Sequence, residues 1–201
     1  MVKGFFMNNI PLILLIIFSA FTMNLVLQCA LGIKGVAHSK NTSRVSSLIK
    51  TGIIFASILL LWVFFSKIVA SVIYGTFIYV LLFPISFVVY DGLEYLIFNQ
   101  ALKKDTENEY TISFSGGLTA ASSFICINIA NNFTEAFALA FGFACGTYLV
   151  FIILGEIRRR AALEAVPQFL RGKPLVLISM GMLSLVFSTV SILLFRMIGA
   201  G

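Results

Sequence analysis

Two cysteines lie inside apolar runs, one in each half of the chain, and each has carboxamide side chains close by. Cys29 directly follows Gln28, and Cys126 precedes Asn128 by two positions. A single cysteine in such a run is usually a small apolar filler. Two cysteines at matching places in a repeated architecture favour ligation instead, because soft thiolates are the ligands that iron–sulfur clusters need. These two thiols form the first candidate site.

The composition indicates a membrane protein. Of the 201 residues, 60% are hydrophobic and 11% are charged, and the mean hydropathy is +1.04. A bilayer-spanning helix needs about 20 mostly apolar residues. The first apolar run is too long for a signal peptide and is expected to remain as a span. The short loops leave no room for a soluble catalytic domain. The sequence predicts six spans: Ile10–Ile33, Leu48–Ser66, Ile68–Tyr90, Ile112–Ala130, Phe133–Gly155 and Pro174–Ile198.

The basic residues predict the orientation in the membrane. Apart from Lys3, Lys67 and Arg196, all of the 14 Lys and Arg residues lie in or beside loops one, three and five. The positive-inside rule places those loops in the cytoplasm and both termini outside. We therefore expect a multi-pass protein of the inner (cytoplasmic) membrane. Nucleic-acid binding is not expected, since no aromatic–basic stacking module accompanies the charges.

The chain divides into two halves of three predicted spans each. The most polar run, Lys103–Glu109, separates repeat one (about 1–104) from repeat two (about 105–201) within a single membrane domain, 1–201. Because three is an odd number, the halves cross the bilayer in opposite senses, as inverted repeats do. The predicted fold is an all-α integral membrane protein with six transmembrane helices in two inverted three-helix repeats.

Straight helices would hold the two thiols at different depths. At about 1.5 Å per residue, Cys29 lies roughly 6 Å and Cys126 roughly 21 Å from the cytoplasmic ends of their spans. That difference would prevent both from reaching one small cluster. Span four could begin only after Ser113, Ser115, Gly116 and Gly117, and span one could break at Asn24, Gln28 and Gly32. Such breaks could bring the two thiols to the same depth. We therefore predict broken helices near the cysteines in spans one and four, where protein or a cavity must cover the exposed backbone.

Other polar residues are also candidates for function, but each has a simpler structural interpretation. Asp91 and Glu94 could bind a coupling ion or relay protons, or they could mark a cytoplasmic helix end just outside the lipid. Glu135 is expected to complement the N-terminus of a helix. The stretch Gly142–Gly146 is predicted to be a helix-packing face, with Cys145 as a filler. The chain lacks the H-E-x-x-H, G-x-S-x-G, Walker and G-x-G-x-x-G motifs, so a hydrolase acting alone is not expected.

Three segments in the second half resemble the RnfA/NqrE family. They are Gly155–Arg160, Ala165–Pro174 and Leu177–Phe187. Family members typically show an I-R-E/R run, a D-V-P-x-x-x-R-G loop and an I-T-A-G-L-M-x-L-x-F span at these places. The first-span motif L-G-x-C corresponds loosely to Val26–Cys29, and the fourth-span motif T-N-C to Phe124–Cys126.

The resemblance implies a subunit of an Rnf or Na⁺-translocating NADH:quinone reductase complex, with the Rnf type favoured. In that family, two inverted membrane subunits each contribute two thiolates to one intramembrane [2Fe–2S] cluster. Cys29 and Cys126 would then be ligands, an RnfE-like subunit would be the partner, and the family's late span-three carboxylate would be Glu94. Gln28 and Asn128 are candidates to satisfy the anionic cluster. The subunit would relay electrons, coupled to Na⁺ or H⁺ movement, without converting a substrate alone.

The number of protein ligands that a [2Fe–2S] cluster needs gives independent support for a partner subunit. A [2Fe–2S] cluster takes four protein ligands, and this chain offers two well-placed thiolates, so a second chain must supply the others. Two alternatives remain open. The first is a small inverted-repeat secondary transporter, in which Asp91 and Glu94 bind the coupling ion. The second is a purely structural assembly subunit.

Overall fold

The computed structural model describes residues 12–29, 44–66, 77–97, 115–163 and 173–199. Almost all of these residues are helical, and no β-strand occurs among them. The first described helix, which begins at Leu12, continues directly into one π-helical turn, Phe18–Thr22. The helices are α1 Leu12–Ile17, α2 Leu25–Gln28, α3 Arg44–Phe64, α4 Phe77–Tyr95, α5 Ser115–Ile129, α6 Phe133–Leu163 and α7 Lys173–Gly199.

Three of the described helices are long and apolar enough to cross a membrane. Their spanning segments are Ser47–Phe64, Phe133–Ile157 and Pro174–Leu194, while Leu12–Gln28 and Gly116–Ile129 are apolar but shorter. The all-helical prediction is therefore confirmed, and these helices support a membrane protein. Six spans in two inverted repeats stay a prediction.

Several positions on which the topology prediction depends lie outside the described residues. They include the basic loop residues Lys34, Lys103, Lys104 and Arg171, and the boundary between the repeats near residue 105. Orientation and the number of spans therefore also stay predictions.

The first predicted span is broken before Cys29. The Met23 N–H donates to the Phe18 carbonyl at 3.2 Å, which closes the wide π turn. Asn24 then adopts an extended conformation (φ −71°, ψ 94°), and a single helical turn, α2, follows it. Single π turns inside helices occur frequently at functional sites. The predicted break in span one is confirmed.

Helix α6 is the centre of the bundle. Of its spanning segment 56% is buried, against 22% for that of α7, and its most extensive contacts are with α3. Phe133 of α6 lies against Trp62 of α3, with ring centroids 6.1 Å apart, and Phe137 lies against Phe55 at 5.4 Å. Residue numbers thus rise along α6 as they fall along α3, so the two helices are antiparallel.

Helices α5 and α6 form a hairpin. Leu118 and Ile54 line one cavity, and Ile127 packs against the cluster that contains Phe65 near the end of α3. Helix α5 is therefore parallel to α3 and antiparallel to α6, and the short connection 130–132 joins them.

The described part of α5 has 15 residues and includes Gly116 and Gly117, so the break predicted near these two glycines is wrong. Glycine is tolerated within a helix, and at Gly116 the absence of a side chain makes room for the Phe87 ring.

Two glycines of α6 allow the first span to approach closely. A Cβ atom on Gly142 would overlap Ser19 Oγ and lie 2.6 Å from the Ile16 carbonyl oxygen. A Cβ on Gly146 would overlap the Ala20 carbonyl oxygen. Small residues at such contacts allow helix backbones to touch within a membrane. The predicted packing face is confirmed.

Candidate functional site

The Cys126 side chain is completely buried in the α5–α6 hairpin. Its thiol donates a hydrogen bond to the Ala136 carbonyl on the first turns of α6, with Sγ and O 3.7 Å apart. One turn later, the Ala130 N–H donates to the Cys126 carbonyl at 2.9 Å, at the end of α5. Cys126 therefore lies close to the tip of the hairpin, enclosed by protein.

Cys29 has the opposite environment. It ends the short helix α2, where its N–H donates to the Leu25 carbonyl at 3.0 Å, and its side chain is exposed. The sulfur is thus available to a second polypeptide on the surface of this chain. The break at Asn24 is what allows the backbone to turn before this cysteine.

The two thiols differ in how well they suit a shared iron–sulfur cluster. Their soft donor chemistry fits such a cluster, and the described residues contain no group of three or more potential metal ligands. Cys29 presents its sulfur outward, but Cys126 is covered and donates to a carbonyl. Ligation by both remains a prediction, and it requires Cys126 to turn away from Ala136.

The two carboxamides suggested as cluster neighbours make local hydrogen bonds in this conformation. Gln28 Nε2 donates to the Thr22 carbonyl, which spans the break in the first span. Asn128 Nδ2 donates to the Phe124 carbonyl at 2.8 Å. The Gln28 bond therefore holds α2 against the end of the π turn.

The carboxylates of α4 lie at its C-terminal end. Asp91 is exposed and Glu94 is half-buried, and Glu94 is within electrostatic range of Lys50 on α3 as well as of Asp91. The nearby ammonium group partly compensates for burial of the Glu94 carboxylate. This arrangement is compatible with the simpler alternative, in which Asp91 and Glu94 mark a helix end. A role of these two carboxylates in ion coupling stays a prediction.

Glu135 performs the predicted role at the start of α6. Its carboxylate accepts a hydrogen bond from the Asn131 N–H at 2.9 Å and lies in the first helical turn. Such a carboxylate satisfies an otherwise unpaired donor and complements the helix dipole. The predicted interaction with the helix N-terminus is confirmed.

Removing this interaction gives a first testable prediction. We expect Glu135→Ala to lower the free energy of unfolding by about 1 kcal/mol, as loss of other helix caps does. Glu156→Ala on the same helix is the control, because its ion pair with Arg160 is exposed (N–O 3.3 Å) and such pairs contribute little. Denaturant titration of the purified chain in detergent measures both. Equal effects of the two substitutions would contradict a specific capping role.

A small cavity not anticipated from the sequence lies beside the break in the first span. Its volume is about 10 Å³ and its wall is mostly apolar, although Ser19, Asn24, Ser122 and Thr147 are among the residues that line it. The Asn24 side chain is 3% exposed, and its Oδ1 atom has no hydrogen-bond partner within the described part of the chain. Asn24 predicts a helix break by its residue type, but small polar residues spread over three segments give no periodic signal for a cavity.

Among the described residues, the three long apolar helices and the interrupted first helix support a helical membrane protein. No family model matches the chain. Over 61 residues it is 36% identical to RnfA, a component of the ion-translocating oxidoreductase complex, of Actinobacillus pleuropneumoniae serotype 5b. The proteins of the same name from Pectobacterium atrosepticum and Escherichia coli O1:K1 / APEC match at 36% and 38% over the same length. The matched stretch covers 30% of this chain and 32% of each relative, so it spans about a third of the relatives' length.

Proposed function

We propose that this chain is an inner-membrane subunit of an Rnf-type, ferredoxin:NAD-linked ion-translocating electron transport complex. Cys29 and Cys126 contribute thiolates to a [2Fe–2S] cluster shared with a homologous RnfE-like subunit, and electron flow is coupled to Na⁺ or H⁺ movement. The observation that carries the proposal is the similarity to relatives named as components of an ion-translocating oxidoreductase complex. The thiols of Cys29 and Cys126 are chemically suitable ligands for the iron of such a cluster.

In this proposal the two cysteines have different tasks, which their different environments support. The exposed Cys29 thiol contributes to the surface on which the partner completes the coordination. Cys126 must exchange its hydrogen bond to the Ala136 carbonyl for a bond to iron, because a thiolate has no proton to donate and a carbonyl oxygen repels it. The cluster, when bound, supplies one-electron transfer within the membrane.

The movement needed at Cys126 involves the tip of the hairpin. The thiol is held by the first turns of α6, next to the three-residue connection 130–132. A displacement of this connection, induced by docking of the partner, would uncover the sulfur. The enclosed thiol in the isolated chain is therefore compatible with a cluster that is assembled only in the complex.

Anaerobic purification of the chain with its membrane partners tests the proposal. We expect two iron atoms and two acid-labile sulfides for each pair of homologous subunits, together with a visible absorption spectrum that bleaches on reduction. The chain purified alone should contain less than about a tenth of that iron, because its two thiolates cannot complete the coordination. A complex that transfers electrons with no iron at this pair of subunits would refute the proposal.

A further inference from the structure

The backbone on both sides of the α5–α6 hairpin tip is bonded to Cys126. The Cys126 carbonyl accepts a hydrogen bond from the Ala130 N–H at 2.9 Å, and the Cys126 thiol donates to the Ala136 carbonyl, with Sγ and O 3.7 Å apart. Because a thiol is a weak donor, the bond to Ala136 contributes little by itself to holding α6 against the sulfur. Another interaction must keep the tip closed.

A carboxylate holds the connection between the two helices. Glu135 Oε2 accepts a hydrogen bond from the Asn131 N–H at 2.9 Å, and Glu135 Oε1 lies 3.5 Å from Asn132 Nδ2. A hydrogen bond to a carboxylate is about twice as strong as one between neutral groups. Glu135 directly precedes Ala136, so the turn of α6 that accepts from the thiol is also the turn that the carboxylate ties to the connection.

We propose that Glu135 is a positioning residue for Cys126: its bond to the Asn131 N–H, the Glu135 latch, keeps the connection 130–132 closed over the thiol. When the latch opens, the connection is free to move away from α6, and the weak bond between the thiol and the Ala136 carbonyl does not hold it. The inference rests on the proposed function in one respect, since exposure of the sulfur matters because Cys126 is a proposed cluster ligand. The latch itself is a property of the chain without iron.

The latch lies where a docking subunit can reach it. Asn131 and Asn132 are exposed and Glu135 is partly exposed, whereas the Cys126 side chain is completely buried. A hydrogen-bond donor on the docking subunit can therefore compete for the carboxylate before anything contacts the sulfur. Exposure of the thiol is thereby linked to assembly.

Alkylation of Cys126 in the full-length chain, purified in detergent without a cluster, measures opening of the latch. The parent chain carries Cys29→Ser and Cys145→Ser, so that iodoacetamide, a small neutral reagent, reports on Cys126 alone. We expect Glu135→Ala to increase the alkylation rate about fivefold, because loss of a helix cap changes an opening equilibrium by about that factor. Equal rates in Glu135→Ala and the parent chain would overturn the proposal.

Two further substitutions separate the hydrogen bond from the charge, and they carry the test if Glu135→Ala does not fold. Glu135→Gln keeps the length of the side chain and an acceptor oxygen, as glutamine does in other helix caps, so the rate should stay within about twofold of the parent. Glu135→Asp keeps the charge beside the helix N-terminus but is one methylene shorter, so it loses the bond to Asn131 and the rate should rise about threefold. The reverse order of these two rates would show that the carboxylate acts only through its charge, and would refute the latch.

Leu154→Ala is the control for loss of overall stability. Leu154 is completely buried in the C-terminal half of α6, about 27 Å along the helix axis from Ala136. Loss of a buried leucine side chain destabilises a protein more than loss of a helix cap does. The alkylation rate should nevertheless stay within about twofold of the parent, because local opening exposes the sulfur. A larger increase in Leu154→Ala than in Glu135→Ala would show that global unfolding exposes it, and would overturn the proposal.

The latch and the cluster fail separately in these experiments. The expected alkylation rates, combined with an assembled complex that contains no iron at this pair of subunits, would reject only the cluster. Unchanged alkylation in Glu135→Ala, combined with a complex that contains the expected iron, would reject only the latch.

Discussion

Replacement of Cys126 by serine is expected to abolish the iron–sulfur signal of the assembled complex. A serine hydroxyl is a much poorer ligand for iron than a soft thiolate, and loss of one of four ligands leaves the cluster incomplete. We expect at least a tenfold decrease in bound iron per complex and loss of electron transfer through this subunit. Cys29→Ser should behave in the same way, because each thiolate is required. Iron analysis and the spectrum of the reduced, anaerobically purified complex measure the effect.

The third cysteine is the matched control for both substitutions. Cys145 lies on α6 within the glycine packing face and is partly exposed, so Cys145→Ser should leave the iron content within about a fifth of that of the wild type. The ratio of subunits measured on the same samples separates loss of the cluster from loss of assembly. Wild-type iron content in Cys29→Ser or Cys126→Ser would show that the thiol is only a filler, and normal electron transfer in both variants would favour a structural assembly subunit.

Composition and local residue chemistry were enough to predict most of the fold class. Apolar runs predicted helices long enough to cross a membrane, and three such helices occur in the described residues. Asn24 predicted the break in the first span, because a polar side chain that competes for backbone hydrogen bonds favours helix ends. Gly142 and Gly146 predicted close packing, since close contact between helices requires small residues.

The site was less predictable, because its properties depend on contacts between distant segments. Nothing in the sequence around Cys126 shows that the first turns of α6 will cover its sulfur, since this depends on the three-residue connection that folds α5 back on α6. The cavity similarly combines Ser19, Ser122 and Thr147, which lie in three different segments. Only the positions of the three segments in the folded chain reveal that these residues line one space.

The close approach of the first span to α6 leads to the second large predicted effect. Gly→Ala usually stabilises a helix by up to about 1 kcal/mol, but a methyl group on Gly146 would overlap the Ala20 backbone carbonyl. Backbone cannot move aside as a flexible side chain can, so the helices must separate. We expect Gly146→Ala to lower the free energy of unfolding by about 3 kcal/mol, at the upper end of typical overpacking costs. Gly142→Ala should have a similar effect, because its methyl group would overlap Ser19 Oγ.

Gly155 on the same helix provides the control. A Cβ atom there has no heavy atom within 4 Å in the described part of the structure, so Gly155→Ala should be neutral or stabilise the chain by up to about 1 kcal/mol. Gly146→Ala and Gly155→Ala thus make the same chemical change, but they are expected to change the free energy of unfolding in opposite directions. Denaturant titration in detergent measures both. A stabilising Gly146→Ala substitution would show that the first span does not contact α6 in this way.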